Sequence, residues 1–343
     1  MKVLLHLDHA PDYRESFLRK LGEKCELIVV ANSCEKDFLI PPSERLGYMY
    51  IELCNCVGYK IRLNFELKNI IDSIKPDVIC VALNLRYPIR ILTFLFYKDL
   101  RDRWIWWGQV FGRNDNAPLV RLKEFLIKRS QGVLVYTKEI ATKLKGLSVL
   151  SFNNSQFSEN DFLRLPNTIR QGSRNFLFVG RPQSRKRLNL ILEFAKKYPY
   201  HRFRVVGPEM ESYFNGESVP GNFSVYPAAK GKELEDHFLW SNIVLNPGHV
   251  GLLVMNAAAH NRAIAIDSKV VHAPEVLLAR KTDQFFLDFL NGRETSIFFE
   301  NTVMDEKMLI HKGENLYEHA LQEFTIEKMV EKHIVFFSSV FNR

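Results

Sequence analysis

Short apolar runs alternate with helix-like segments along the whole chain, and this alternation constrains the fold more than any other feature. In the first half the runs are "KVLLHL", "CELIVV", "DVICVAL", "RWIWW" and "GVLVY". In the second half they are "NFLFVG", "FRVVG", "NFSVY", "NIVLN" and "AIAI". Short runs bounded by Gly, Pro or Asp suit parallel strands buried on both faces. Between them lie amphipathic stretches such as "RESFLRKLGEK", "PLVRLKEFLIKRS", "RLNLILEFAKKYP" and "GKELEDHFLW". Strand and helix in alternation predict α/β architecture. The pattern restarts after the polar stretch "NNSQFSENDFLRLPNTIRQGSRN", which places a boundary near Arg170. The expected organisation is a first domain over 1–170, a second over 171–324, and a helix over 325–343 that packs back on the first. Two Rossmann-like, doubly wound domains facing a central cleft follow, with ligands at the carboxyl ends of the strands.

The 343 residues suffice for two such domains, and 46% hydrophobic with 25% charged residues is ordinary for a folded chain. A net charge of +8 favours anionic partners without choosing among nucleic acid, anionic lipid and phosphorylated small molecules. Five cysteines, Cys25, Cys34, Cys54, Cys56 and Cys80, are an odd number in a large chain. They argue against a disulfide framework and for a reducing compartment, with Cys54 and Cys56 read as packed thiols. No secretory signal is visible, and no stretch approaches the ~18–20 apolar residues of a membrane span. The run "ILTFLFY", residues 91–97, reads as a buried helix. These features point to a cytoplasmic protein. The basic helix "RLKEFLIKRS", residues 121–130, leaves open a peripheral contact with an anionic membrane. A solvated face is its plainer reading.

The stretch "NFLFVGRPQSRKRLNLILEFAKKYP", residues 175–199, carries the strongest chemical signal. A strand breaks at Gly180, and Arg181, Arg185, Lys186 and Arg187 crowd the loop that opens the next helix. A helix start already favours an anion through its free N–H groups and dipole. Cations there oppose that dipole unless a phosphate or diphosphate lies between. A solvated basic loop is the bland alternative.

This stretch resembles the G-R-x-x-x-x-K segment of GT-B glycosyltransferases, above all the large family four group. The resemblance continues in order through "PNTI" (residues 166–169), "FRVVG", "KGKELEDHFLWSNIVLNPG", "HAPEV" and "NGRETSIFFEN". It covers the second half and is weaker in the first, at "IWWGQVFGR" and "GVLVYTKEIATKL". It implies that Arg181 and Lys186 bind the diphosphate of a nucleotide-sugar donor without a divalent metal. It also implies retention of anomeric configuration. The family's E-x7-E pair is absent: in "NPGHVGLLVMNAAAHNRAIAI" its two positions fall on Gly248 and Asn256. The "P-G-x-V-G-L" stretch resembles a variant found in some bacterial members. Gly248 and Gly251 still admit backbone N–H groups close to a donor, and Asn256 can bond a ribose hydroxyl.

Other candidates keep two readings. Glu275 orients the sugar or ribose, or else caps its own helix. In "HLDHAPDYRESF", His9 is a candidate general base toward an acceptor hydroxyl. Asp12 and Glu15 there fit a capping box. Gln109, after the strand "RWIWW", has a positional role only, because an amide is no base. Gly112 and Arg113 are further candidates for lining the cleft. Trp106 and Trp107 read as core.

No D-x-D, no P-loop and no dinucleotide fingerprint occurs. The expectation is therefore a metal-independent glycosyltransferase of cell-surface polysaccharide biosynthesis, with no cofactor beyond its nucleotide diphosphate sugar. Its partners are that donor and a glycan or lipid-linked acceptor, not nucleic acid. The alternatives are a catalytically silent scaffold of the same fold and, last, a basic nucleic-acid-binding protein.

Overall fold

The computed structural model describes residues 1–34, 40–53, 61–63, 65–111, 116–166 and 174–343. They divide into two compact units, Met1–Gln156 with Ile326–Arg343, and Phe157–Thr325. The boundary expected near Arg170 falls among residues 167–173, outside the described residues, as do Cys54, Cys56, Gly112, Arg113 and most of "PNTI".

The first unit is built on β1 (Lys2–His9), β2 (Glu26–Asn32), β3 (Met49–Leu53), β4 (Val78–Ala82), β5 (Trp104–Gly108), β6 (Gly132–Val135) and β7 (Val149–Ser151). Their order across the sheet is β3-β2-β1-β4-β5-β6-β7, and every pairing is parallel. The second unit uses β8 (Asn175–Val179), β9 (Arg202–Val206), β10 (Phe223–Tyr226), β11 (Ile243–Asn246), β12 (Ala263–Asp267) and β13 (Phe285–Leu287). These lie in the order β10-β9-β8-β11-β12-β13, again all parallel. Both sheets therefore wind outward from a central strand, return to its other side and wind the opposite way. That is the doubly wound order, and it creates a switch point between β1 and β4 and another between β8 and β11.

Burial on both faces explains why the central strands read as continuous apolar runs. Side chains alternate across a strand. Val3, Leu5 and Leu7 of β1 accordingly pack in one core with Ile326, Met329 and Phe337 of the helix Ile326–Phe341, whereas Leu4 packs in the opposite core with Trp104 and Trp106. Trp104 and Trp106 are fully buried, and both pack against Phe94. The helix Pro88–Phe96 differs from its expectation: Arg90, Thr93 and Phe94 are buried, but Phe96 is 75% exposed. The capping box expected from Asp12 and Glu15 does not form. Pro11 precedes a 3-10 turn over Asp12–Arg14, the Asp12 amide donates to the Ile40 carbonyl, and the Glu15 carboxylate accepts from the Tyr48 hydroxyl instead.

His333 joins the helix Ile326–Phe341 to the sheet. The Trp107 indole N–H donates to its Nε2 at 2.9 Å, and its Nδ1–H donates to the Met329 carbonyl at 2.7 Å. Phe17, Phe152 and Phe337 surround the ring. Burial lowers the His333 pKa to about 3, whereas an unfolded histidine takes its proton near 6.5. The buried neutral ring therefore contributes fully above pH ~6.5 and loses that contribution as pH falls toward 3. His333→Gln keeps an acceptor for Trp107 and does not titrate. Between about pH 7.5 and pH 5, urea melts of the first unit should show wild type losing about 2 kcal/mol more stability than His333→Gln. Equal losses would mean that the ring protonates inside the fold.

Candidate functional site

Three loops gather at the carboxyl ends of β8, β11 and β12. The loop after β8 holds the cations. Arg181 and Arg185 are exposed, and the Arg185 guanidinium donates to the Gln183 side-chain oxygen at 2.9 Å. Ser184–Lys186 form a 3-10 turn, and Arg187 is left-handed (φ 52°, ψ 44°) where it opens the helix Leu188–Lys197. A residue with a Cβ rarely takes that conformation, so something must hold it. Asp267 does. It is fully buried at the end of β12 and accepts from Arg187 Nη1 at 3.2 Å. Its other oxygen accepts from the amides of Lys269 and Val270.

The loop after β11, residues 247–252, is bonded to both neighbours. Lys186 Nζ donates to the His249 carbonyl at 2.6 Å, and the His249 amide donates to the Arg185 carbonyl at 2.8 Å. His249 Nδ1–H donates to the Val271 carbonyl at 2.7 Å. The Val250 amide donates to His272 Nδ1, whose Nε2–H donates to the Asp267 carbonyl. His272 is thus a brace with both nitrogens engaged.

Gly248 is glycine because of this zipper. A Cβ built there would lie 2.4 Å from the Arg185 carbonyl oxygen and 2.5 Å from that of Lys186. Its N–H donates to the Asn246 side-chain oxygen at 3.3 Å. Gly251 has room, since the nearest atom to a built Cβ is the Ala273 methyl at 3.7 Å. Asn256 lies half-buried in the helix Leu253–Ala259, and its side-chain amide donates to the Leu252 carbonyl. Glu275 is buried just before the helix Val276–Lys281, and its carboxylate makes no capping bond there.

The charge balance of this rim is uneven. Asp267 is committed to Arg187, and Lys186 is paired with a carbonyl rather than a carboxylate. Burial, then the neighbouring Arg185 and Arg181, lower the Lys186 pKa to about 8. Burial is also the main reason that the pKa values of His249 and His272 lie below the usual histidine value. Among the described residues Lys186 is thus an ammonium answered by a carbonyl and not by a carboxylate. Arg187 was read only as one of the loop's four cations, and His249, Asp267 and His272 were not singled out from the sequence. A run "R-K-R" does not say which cation finds the buried acid 80 residues on.

His9 and Gln109 belong to the first unit. His9 ends β1, with Nδ1–H donating to the Ser33 carbonyl and Nε2 accepting from Arg62. Its basic nitrogen is therefore occupied by a guanidinium. Next to it, Asp8 pairs with the buried Arg90 and accepts from the Asn84 side chain. Arg90 also donates to His6 and to the Leu7 and Ala82 carbonyls. Gln109 is exposed just after β5. Among the described residues no group of three or more His, Cys, Asp or Glu side chains is placed to hold a metal ion.

The two glycines of the loop after β11 give opposite expectations. Gly248→Ala forces its methyl into backbone and should destabilise the second unit by about 1–3 kcal/mol in urea melts. Gly251→Ala makes an ordinary contact and should stay within about 0.5 kcal/mol of wild type. Equal effects would show that the loops are not held together as described.

No protein-family model and no curated protein matches the chain. Solved structures do. Sucrose-phosphate synthase from Thermosynechococcus elongatus superposes with a TM-score of 0.75 at 12% identity over 99% of both chains. A glycosyltransferase from Rickettsia africae gives 0.71 at 10% identity, over 99% of this chain and 98% of its own. HepE of Anabaena, solved with UDP and glucose, gives 0.67 at 12% identity, over 99% and 100%. At such identities the likeness speaks to the fold: two doubly wound α/β units in the GT-B arrangement of strands.

Proposed function

We propose that the protein is a glycosyltransferase that moves a sugar from a nucleotide diphosphate donor to a hydroxyl of a glycan or lipid-linked acceptor. One observation carries the reading. At the switch point of the second sheet, Lys186 is half-buried among Arg181 and Arg185, bonded to a carbonyl and lacking a carboxylate. A diphosphate supplies the missing charge. The same fold in HepE, solved with UDP and glucose, supports this choice of anion.

In this reading Arg181 and Lys186 neutralise the diphosphate as it leaves with the bonding electrons of the anomeric carbon, without a divalent metal. Asn256 and Glu275 bond the ribose and sugar hydroxyls, with Gly251 leaving room for the donor. Gly248, whose Cβ position is filled by the cation loop, fixes that loop instead. His249 donates through Nδ1 to Val271, so its neutral Nε2 is an acceptor for a sugar hydroxyl where no carboxylate stands at Gly248. His9 and Gln109 are the first unit's candidates for meeting the acceptor. The sugar is a hexose transferred with retention, and the product belongs to a cell-surface polysaccharide assembled from the cytoplasm.

A thermal-shift screen with UDP, GDP, ADP, CMP and their common sugar conjugates tests the donor site. A true donor at a hundred times its dissociation constant adds about 2.7 kcal/mol. That should raise the melting temperature by roughly 5–10 °C, and the rise should vanish in Arg181→Ala/Lys186→Ala. No shift with any nucleotide, in a protein that melts cooperatively, would favour a silent scaffold.

Lys186 also sets a pH dependence. Free, it loses its proton through about pH 8, and a diphosphate binds the protonated form. Affinity for the nucleotide diphosphate found in the screen should be flat from about pH 7 to 8, above the second ionisation of the terminal phosphate near pH ~6. Above about pH 8, affinity should fall by up to about tenfold per pH unit. Titration calorimetry in buffers of different ionisation enthalpy should show proton uptake on binding near pH 8.5, a value taken from that ~8 midpoint. A pH-independent affinity from about 7 to 9.5 would remove Lys186 from the diphosphate site.

A further inference from the structure

A second gathering of cations lies in the first unit. The helix Ala117–Lys128 and the segment 143–147 border an open groove of about 760 Å³. Arg121, Lys128, Arg129, Lys143 and Lys145 line it, against a single carboxylate, Glu124. All five cations are exposed, and among the described residues none of them is in an ion pair. Arg129 instead lies over the Phe125 ring, 3.6 Å from its centroid.

The helix has two unlike faces. Lys123, Leu126 and Ile127 face the protein, and the Lys123 ammonium is used internally on the Val110 carbonyl. The outward side carries Phe125, 41% exposed, with Arg121, Lys128 and Arg129, while Leu119 and Leu122, 36% and 38% exposed, flank the inward face. Leu122 and Phe125 extend the apolar surface of the inward face outward to the cations, with Phe125 lining the groove itself. A soluble phosphate or a nucleic acid would satisfy the cations and leave this apolar surface in water.

We propose that this face docks on the surface of a bilayer rich in anionic phospholipid. Headgroup phosphates enter the groove between Arg121, Lys128, Arg129, Lys143 and Lys145. Leu122 and Phe125 enter the boundary between headgroups and acyl chains. The cations act within a Debye length of the surface, so attachment is reversible and salt-sensitive. Nothing in this depends on the donor-site reading. If that reading holds as well, docking brings the enzyme to a lipid-linked acceptor.

Co-sedimentation with vesicles tests the proposal on the full chain. The vesicles are phosphatidylcholine alone, or phosphatidylcholine with roughly one third phosphatidylglycerol. Wild type is compared with Arg121→Gln/Lys128→Gln/Arg129→Gln and with Leu122→Ser/Phe125→Ser, all at exposed positions, with melting temperature as the folding control. Wild type should bind the anionic vesicles and not the neutral ones at about 0.1 M salt, and release them at about 0.5 M. Each variant should bind the anionic vesicles about tenfold or more weakly. Inorganic phosphate at matched ionic strength should not displace the protein. No binding of anionic vesicles would overturn the proposal, as would wild-type binding by the charge variant. Undiminished binding by Leu122→Ser/Phe125→Ser would also overturn it, by leaving only charge attraction of the kind a polyanion such as single-stranded DNA provides.

Discussion

The buried carboxylate of Asp267 is the constraint on which the second unit's rim depends. A charge at the end of a central strand, out of contact with water, must be paired or bonded on every side. Arg187 and two backbone amides do this. Reaching Asp267 holds Arg187 left-handed at the head of its helix, which in turn fixes the path of the loop before it. Lys186, one residue earlier, is then turned toward the loop after β11, where it meets a carbonyl. The acid that a lysine in such a place would ordinarily take has gone to its neighbour. Gly248 follows from the same geometry, because the backbone of the pinned loop occupies the space of its side chain.

The two switch points share a topology and differ in electrostatics. At the first, Arg90 is buried with Asp8, a histidine and two carbonyls, and Asp8 also takes the Asn84 amide. Among the described residues there, the buried Arg90 Nε and His6 Nδ1 have no partner. Arg90 is answered there by a carboxylate of the protein itself. Removing Asp8 would leave the buried Arg90 guanidinium without its carboxylate, so the pair is a structural element before it is anything else. At the second switch point, among the described residues, Asp267 goes to Arg187 and Lys186 is left with a carbonyl. Ligand charge is wanted where the fold leaves it unbalanced, and that is the loop after β8.

How much of this was legible depends on whether the signal was local. Central strands such as Val78–Ala82 and Ile243–Asn246 are buried on both faces and announce themselves as apolar runs. The edge strands Met49–Leu53 and Phe285–Leu287 were not read, because an edge strand is half-exposed and short and its pattern is broken. The cation loop was legible because strand, glycine, cations and helix follow one another directly. Gly248 was marked as important for the wrong neighbour: its space is filled by Arg185 and Lys186, far away in sequence. The division of labour between Lys186 and Arg187, and the bracing histidines 249 and 272, arise from tertiary pairing and have no local pattern. Asp12 and Glu15 had a local pattern that the surroundings overrode, since Tyr48 offers Glu15 a better partner.

The net charge of +8 takes on meaning once its location is known. Dispersed cations in salt bridges, such as Lys20 with Glu327 or Lys281 with Glu323, contribute little to any distant partner. Cations that gather without acids repel one another, and a fold keeps them only if something outside returns the energy. This chain gathers them on two rims with different company. On one, backbone and imidazole surround a half-buried lysine with two arginines beside it, which suits a small compact anion. On the other, leucine and phenylalanine surround them on an open helix face, which suits an extended surface with charge outside and hydrocarbon beneath. The neighbours of the charge, rather than its amount, distinguish the two partners.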